Sequence, residues 1–129
     1  MKELLKRLKR SPKKKYPKFI AKDYDQVGTC GENVQWGFKE ATGELTIIGT
    51  GEMDDYTYET PAPWIKLDIK SASIHGVTTI GYRAFYERSG LTEITIGDSV
   101  TTIGKEAFYS CSGLTKITIP DGVTTIEWE

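Results

Sequence analysis

The C-terminal half of the chain repeats with a period of 23 residues. A Val-Thr-Thr-Ile segment occurs three times, at Val77–Ile80, Val100–Ile103 and Val123–Ile126. Between these copies an Ala-Phe-Tyr segment recurs at the same spacing, at Ala84–Tyr86 and Ala107–Tyr109. Self-similarity at a fixed period of this order is the signature of a repeat architecture. The repeat therefore limits the fold more than any other feature of the sequence.

A unit of this length cannot bury its own apolar side, so its apolar residues must stack on the equivalent residues of the next unit. This predicts a mostly β solenoid of about three short coils, the first being a less regular copy around Ile69–Ile74. The segments Leu91–Ile96 and Val100–Ile103 are rich in β-branched residues, and their alternation should direct Thr outward and Ile inward. The aromatic segment Ala107–Tyr109 is expected to form a turn or short helical arc. The residues predicted to stack inside are Leu91, Ile94, Ile96, Val100, Ile103, Ala107 and Phe108.

Stacking of the units should align outward polar residues in columns. Threonine pairs and the pair Glu93–Lys116 would each stabilise the stack by about 0.2–1 kcal/mol, which is a sufficient structural reason for such columns. Repeat sheets also commonly serve as binding surfaces, so a ligand-facing role stays open. The candidate ligand-facing residues are Ser71, Ser73, Thr92, Glu93, Thr95, Thr115, Lys116 and Thr118.

A β-hairpin is predicted upstream of the repeats. Apolar residues alternate in Asn33–Phe38 and again in Glu44–Ile48, and a turn containing Gly43 separates the two segments. Such a hairpin would cap the first coil, which would otherwise expose an apolar end and an unpaired strand edge. We therefore predict a basic tail at 1–22, a capping segment at 23–63 and repeats at 64–129. The last unit stops partway, so we expect a truncated final coil.

These repeats and the segments before them resemble the BspA-type leucine-rich repeats of bacterial surface proteins. The resemblance covers about residues 27–126 and includes Gly28–Trp36, Gly43–Tyr56 and the pair Pro63 and Trp64. It implies a leucine-rich-repeat solenoid with an N-terminal hairpin cap. It also implies an extracellular or cell-surface location, a protein partner such as a host extracellular-matrix or cell-surface macromolecule, and neither a cofactor nor a small-molecule substrate.

Charge is distributed unevenly along the chain. Residues 1–22 contain ten Lys or Arg and one acidic residue, whereas the remainder contains seven basic and seventeen acidic residues. The tail is too short for a stable isolated helix, and Ser11 and Pro12 interrupt it, so we predict disorder. It is either a solvated linker or a contact for a polyanion such as a membrane surface or nucleic acid. The candidate contact residues are Lys13, Lys14, Lys15 and Lys18.

Few residues could support catalysis or metal binding. The single histidine, His75, is expected in a solvated turn after Ile74, with no nucleophile in a recognisable arrangement. Cys30 and Cys111 form no CxxC pair and are expected to be separate, reduced thiols. An acidic group could hold a hard cation, although we favour a solvated loop. Its members are Glu52, Asp54, Asp55 and Glu59.

Three hypotheses for function follow from the sequence. The first is a non-catalytic protein-interaction module of a surface or secreted protein, active in adhesion or host contact. The second is a passive spacer, and the third is attachment to a polyanion through the tail. No apolar run approaches the roughly 20 residues that span a bilayer, and no apolar run typical of a signal peptide follows the basic start. We predict that the chain is not an enzyme and has no metal site.

Overall fold

The computed structural model describes residues 17–127, and nearly all of its regular structure is β-strand. A short 3-10 helix at Ala21–Asp23 precedes the first strand. Within the described part of the chain, no helix is long and apolar enough to cross a membrane. The strands are β1 Gln26–Gly31, β2 Val34–Lys39, β3 Glu44–Glu52, β4 Ser71–Ile80, β5 Glu93–Ile96, β6 Thr102–Ile103, β7 Lys116–Thr118 and β8 Thr125–Ile126.

The cap is an antiparallel sheet of β1, β2 and β3. The predicted hairpin is confirmed, since β2 pairs with β3 from Val34 opposite Gly49 to Lys39 opposite Glu44. Gly43 makes the turn in the left-handed region, with φ of 74°, and its amide donates to the carbonyl oxygen of Lys39. The prediction did not include β1, which adds a third antiparallel strand along β2. The cap is therefore a three-stranded sheet that contains the predicted hairpin.

The repeats continue this sheet as a solenoid with parallel pairing. β3 pairs with β4, β4 with β5, and β5 with β7, so that one row of parallel strands extends from the cap to the last coil. A second row contains β4, β6 and β8, in which Thr79, Thr102 and Thr125 are aligned. From β4 onward, paired residues of neighbouring strands lie 22 or 23 positions apart along the chain, which accounts for the 23-residue period. The division at residue 63 stays a prediction, because the sheet is continuous across it.

The core lies between the strand rows and the aromatic turns. Of the residues predicted to stack inside, those from Leu91 to Ala107 are buried and Phe108 is half-buried. Trp64, Phe85 and Phe108 stack in order, with ring centroids 5.6 Å apart at each step. These three rings form one continuous stack along the coils.

His75 contradicts one prediction, because it lies inside β4 rather than in a turn after Ile74. The first coil is one residue shorter than the others before Val77, and β4 stays in register with β3 through His75, which pairs with Ile48, before the register shifts between Ile48 and Gly51. Gly76 then bends the strand, with φ of 84°. His75 is consequently half-buried rather than solvated.

Candidate interaction surface

The parallel register aligns outward residues of β3, β4, β5 and β7 in two straight columns. We call this the polar face. Its side chains are exposed or half-buried, whereas Ala72, Ile74 and Ile94, which alternate with them, are buried. The prediction missed the members contributed by β3, because the hairpin carries no copy of the repeat. One column is Glu44, Ser71, Glu93 and Lys116, and the other is Thr46, Ser73, Thr95 and Thr118.

A third column stands at the start of the strands and consists of Lys70, Thr92 and Thr115. The hydroxyl of Thr92 donates to the carbonyl oxygen of Lys70 at 3.1 Å, and that of Thr115 donates to the carbonyl oxygen of Thr92 at 3.3 Å. Each hydroxyl has one proton, so these two threonines can offer a ligand only the lone pairs of their oxygens. Their placement therefore has a structural reason of its own.

The charges on the polar face compensate each other where the last two coils meet. Lys116 Nζ lies 3.3 Å from Glu93 Oε2, with the two side chains 76% and 47% exposed. An ion pair so accessible to water contributes little to stability. It leaves this part of the face close to neutral, with hydroxyl groups beside it at Thr95 and Thr118.

A second threonine-rich surface follows the row of β4, β6 and β8. Thr101 and Thr124 are both exposed, and the Thr101 hydroxyl donates to the carbonyl oxygen of Thr78 at 3.3 Å. The site prediction omitted this surface, although the three Val-Thr-Thr-Ile copies are the signal that could have indicated it. It provides the same residue type in the same coils as the polar face.

The titratable groups that could support chemistry are poor nucleophiles. Both cysteines are free thiols. Burial, with a smaller effect of Asp54, raises the pKa of Cys30 to about 12. Cys111 Sγ donates to the carbonyl oxygen of Phe85 at 3.0 Å, and burial raises its pKa as well. Burial lowers the pKa of His75, so this imidazole is less readily protonated than an exposed one.

The acidic loop gives no assembled metal site within the described residues. Among residues 17–127, no group of three or more His, Cys, Asp or Glu is arranged to hold a metal ion. Asp55 instead accepts a hydrogen bond from the backbone amide of Tyr82 at 2.8 Å, which ties the loop to the first coil. In the tail, Lys18 is exposed. The candidates Lys13, Lys14 and Lys15 lie outside the described residues.

Comparisons with known proteins agree with the architecture. A family model described as "BspA type Leucine rich repeat region (6 copies)" matches residues 64–129, just over half of the chain. A comparison with curated proteins gave no match.

Two solved structures are similar to this chain. A leucine-rich repeat protein from Eubacterium ventriosum is 28% identical with a TM-score of 0.70, over 78% of this chain and 27% of that one. A leucine-rich cell surface protein from Faecalibacterium prausnitzii is 27% identical with a TM-score of 0.51, over 82% of this chain and 34% of that one. The similarity thus spans only about a quarter to a third of those proteins.

Proposed function

This chain belongs to the BspA-type leucine-rich repeat family, and on that premise we propose that it is a non-catalytic interaction module of a bacterial cell-surface or secreted protein. The observation that carries the proposal is the polar face, on which the parallel register aligns outward side chains across four strands. Repeat proteins use continuous surfaces of this kind for binding. The description of the Faecalibacterium relative as a cell surface protein supports the location.

The chemistry of the polar face favours a protein partner, which we propose to be an extracellular-matrix or cell-surface protein of a host or neighbouring cell. Small molecules bind in concave sites, whereas this face is an extended sheet surface. Its exposed groups at the last two coils are the hydroxyls of Thr95 and Thr118 and the ion pair Glu93–Lys116. A partner that presents complementary hydrogen-bonding groups and carries little net charge at the contact would fit this surface.

The proposal can be tested with a pair of matched variants. Thr95→Lys with Thr118→Lys adds two cations to the polar face, while Thr101→Lys with Thr124→Lys adds two cations to the other threonine surface of the same coils. All four threonines are exposed, so both variants should fold. Biolayer interferometry against a panel of extracellular-matrix proteins at about 0.15 M salt should show at least a tenfold loss of affinity for the first variant only.

Three outcomes would contradict this function. If both variants bind as the unmodified chain does, the polar face is not the binding surface. If no protein of the panel is bound, a passive spacer becomes the better hypothesis. If only heparin or anionic vesicles are bound and binding falls steeply with salt, the contact belongs to the tail lysines Lys13, Lys14, Lys15 and Lys18.

A further inference from the structure

Apolar side chains are accessible at the cap end of the sheet, on β1 and just before it. Ile20 is 39% exposed and Val27 is 46% exposed. Val27 lies on β1, which is the outermost strand of the sheet at this end of the described chain. Phe19 and Tyr24, between and beside them in sequence, are half-buried. We call these four residues the cap edge.

Three of the four side chains lie on the same side of the sheet. The ring of Tyr24 lies directly against Gly37 of β2, where a Cβ would overlap it, and Gly37 is buried beneath that ring. Val27 pairs with Gly37, and paired residues of antiparallel strands direct their side chains to the same side. Phe19 stacks on Tyr24, with ring centroids 5.2 Å apart. The cap edge is therefore a patch on one side of the cap sheet.

The segment that carries the cap edge is held in place by several contacts. The backbone amide of Asp25 donates to the carbonyl oxygen of Phe38 at 2.9 Å, and Asp25 Oδ2 accepts from the backbone amide of Glu40 at 2.8 Å. Lys39 Nζ lies 5.8 Å from the centroid of the Tyr24 ring. A surface that is ordered before binding has less conformational entropy to lose when a partner arrives.

The charge around the cap edge is positive, although acidic residues are present. Lys18 and Lys22 are exposed on either side of Phe19 and Ile20. Residues 1–44, which include the neighbouring carboxylates of the cap, contain eleven Lys or Arg and six acidic residues, whereas residues 45–129 contain six and twelve. The cap end is thus the positive pole of the chain, and an anionic surface would attract the molecule with this end foremost.

We propose that the cap edge, together with the basic residues before it, binds an anionic lipid surface. Basic residues attract such a surface, and apolar side chains beside them enter the boundary between head groups and acyl chains. A nucleic acid or a sulfated polysaccharide would use the lysines but would gain little from the aliphatic side chains of Ile20 and Val27. An anionic bilayer uses both kinds of group.

This contact goes beyond the interaction module proposed above, because it is made at the opposite end of the sheet from the last two coils. Five strand steps separate β1 from β7, which is about 24 Å at the usual spacing of strands. A chain held at the cap edge would therefore keep Thr95 and Thr118 of the polar face away from the lipid.

The test is cosedimentation of the full chain with vesicles made of phosphatidylcholine and phosphatidylglycerol in equal amounts. Vesicles of phosphatidylcholine alone are the negative control. We expect the anionic vesicles to be bound at least about tenfold more tightly. Binding should weaken when salt is raised from about 0.05 M to about 0.5 M, because the lysine charges are then screened.

A pair of matched variants separates the apolar contact from attraction by charge alone. Ile20→Ser with Val27→Thr removes the two accessible aliphatic side chains and should weaken binding to anionic vesicles about tenfold. Ile117→Thr with Ile119→Ser is the matched control, since these side chains are 40% and 44% exposed at the other end of the sheet. It should bind as the unmodified chain does.

Circular dichroism would verify the fold of both variants, and Val27→Thr keeps a β-branched residue in β1. If the pair disturbs β1, Ile20→Ser alone, outside the strands, should still weaken binding severalfold.

Three results would overturn the inference. Unchanged vesicle binding by Ile20→Ser with Val27→Thr would mean that charge alone makes the contact. Equal binding to neutral and anionic vesicles would remove the role of the basic residues. Tighter binding of a polyglutamate peptide than of vesicles, lost in the same variant, would identify an acidic protein as the partner. The matrix-protein assay uses threonines of the last two coils, so either proposal can fail while the other stands.

Discussion

The last two coils carry the same side chains at equivalent positions but bury them to very different extents. Ile94 and Ile96 are 2% and 5% exposed, whereas their equivalents Ile117 and Ile119 are 40% and 44% exposed. Both pairs follow the same alternation, so the sequence directs them inward in the same way. The difference is that the earlier coil has neighbours on both sides. Burial in this fold is thus a property of the stack and not of the single unit.

Within residues 17–127, the cap covers the outer side of the first coil, whereas β7 of the last coil pairs on one side only, with β5. β3 pairs in parallel with β4, and the side chains of Leu45 and Ile47 beside it are fully buried. Trp64 then continues the column of rings below Phe85. We therefore expect the free energy of unfolding to depend most on residues at the capped end.

The largest expected effect is that of Phe85→Ala. Phe85 is fully buried between the rings of Trp64 and Phe108, and its loss should cost about 3–5 kcal/mol of unfolding free energy. Phe108→Ala is the matched variant, and it should cost clearly less because Phe108 is only half-buried. Urea unfolding followed by tryptophan fluorescence would measure both. Equal losses would show that the two ends of the stack are equally well packed, contrary to the comparison.

A smaller effect is expected from a methyl group added where two backbone segments lie close together. A Cβ at Gly81 would overlap the carbonyl oxygen of Asp54, where the cap loop crosses the first coil. A Cβ at Gly122, in the last coil, would come no closer than 3.3 Å to the nearest atom, the carbonyl oxygen of Asp98. We expect Gly81→Ala to lower the melting temperature and to cost about 1–3 kcal/mol.

Gly122→Ala serves as the control in the same calorimetric experiment and should change stability much less. A tolerated Gly81→Ala would mean that the cap loop can move away from the first coil. The cap would then contribute less to the difference in stability between the two ends of the stack than its contacts suggest.

The fold was predictable because the repeats recur every 23 residues and the hairpin strands alternate apolar and polar residues. β1 was not, because Gln26–Gly31 contains two glycines and shows no clear alternation, and it becomes a strand through pairing with β2. The backbone conformation of the aromatic turns is a second feature that the sequence did not predict. Arg83 and Glu106, at equivalent positions, adopt φ of 55° and 57°, a conformation that residues other than glycine rarely take.

The polar face and the pocket beside the cap loop also differ in how far the sequence predicts them. The columns on β4, β5 and β7 follow from combining two periods, 2 within a strand and about 23 between strands, so these residues could be named in advance, whereas the β3 members could not. The pocket joins Tyr58 of the cap loop to Tyr86 of the first coil, and that loop has no periodicity. The positions of outward residues on the repeats can be predicted from sequence, whereas a surface formed by a repeat and its cap needs the path of the loop.

The smallest expected effect concerns the ion pair that joins the two coils of the comparison. A double-mutant cycle with Glu93→Gln and Lys116→Gln should give a coupling energy of about 0.2–1 kcal/mol, since both side chains are largely accessible to water. The coupling should decrease as salt is raised, because exposed charges are screened. A coupling of zero at low salt would mean that backbone pairing and apolar contacts alone hold the last coil.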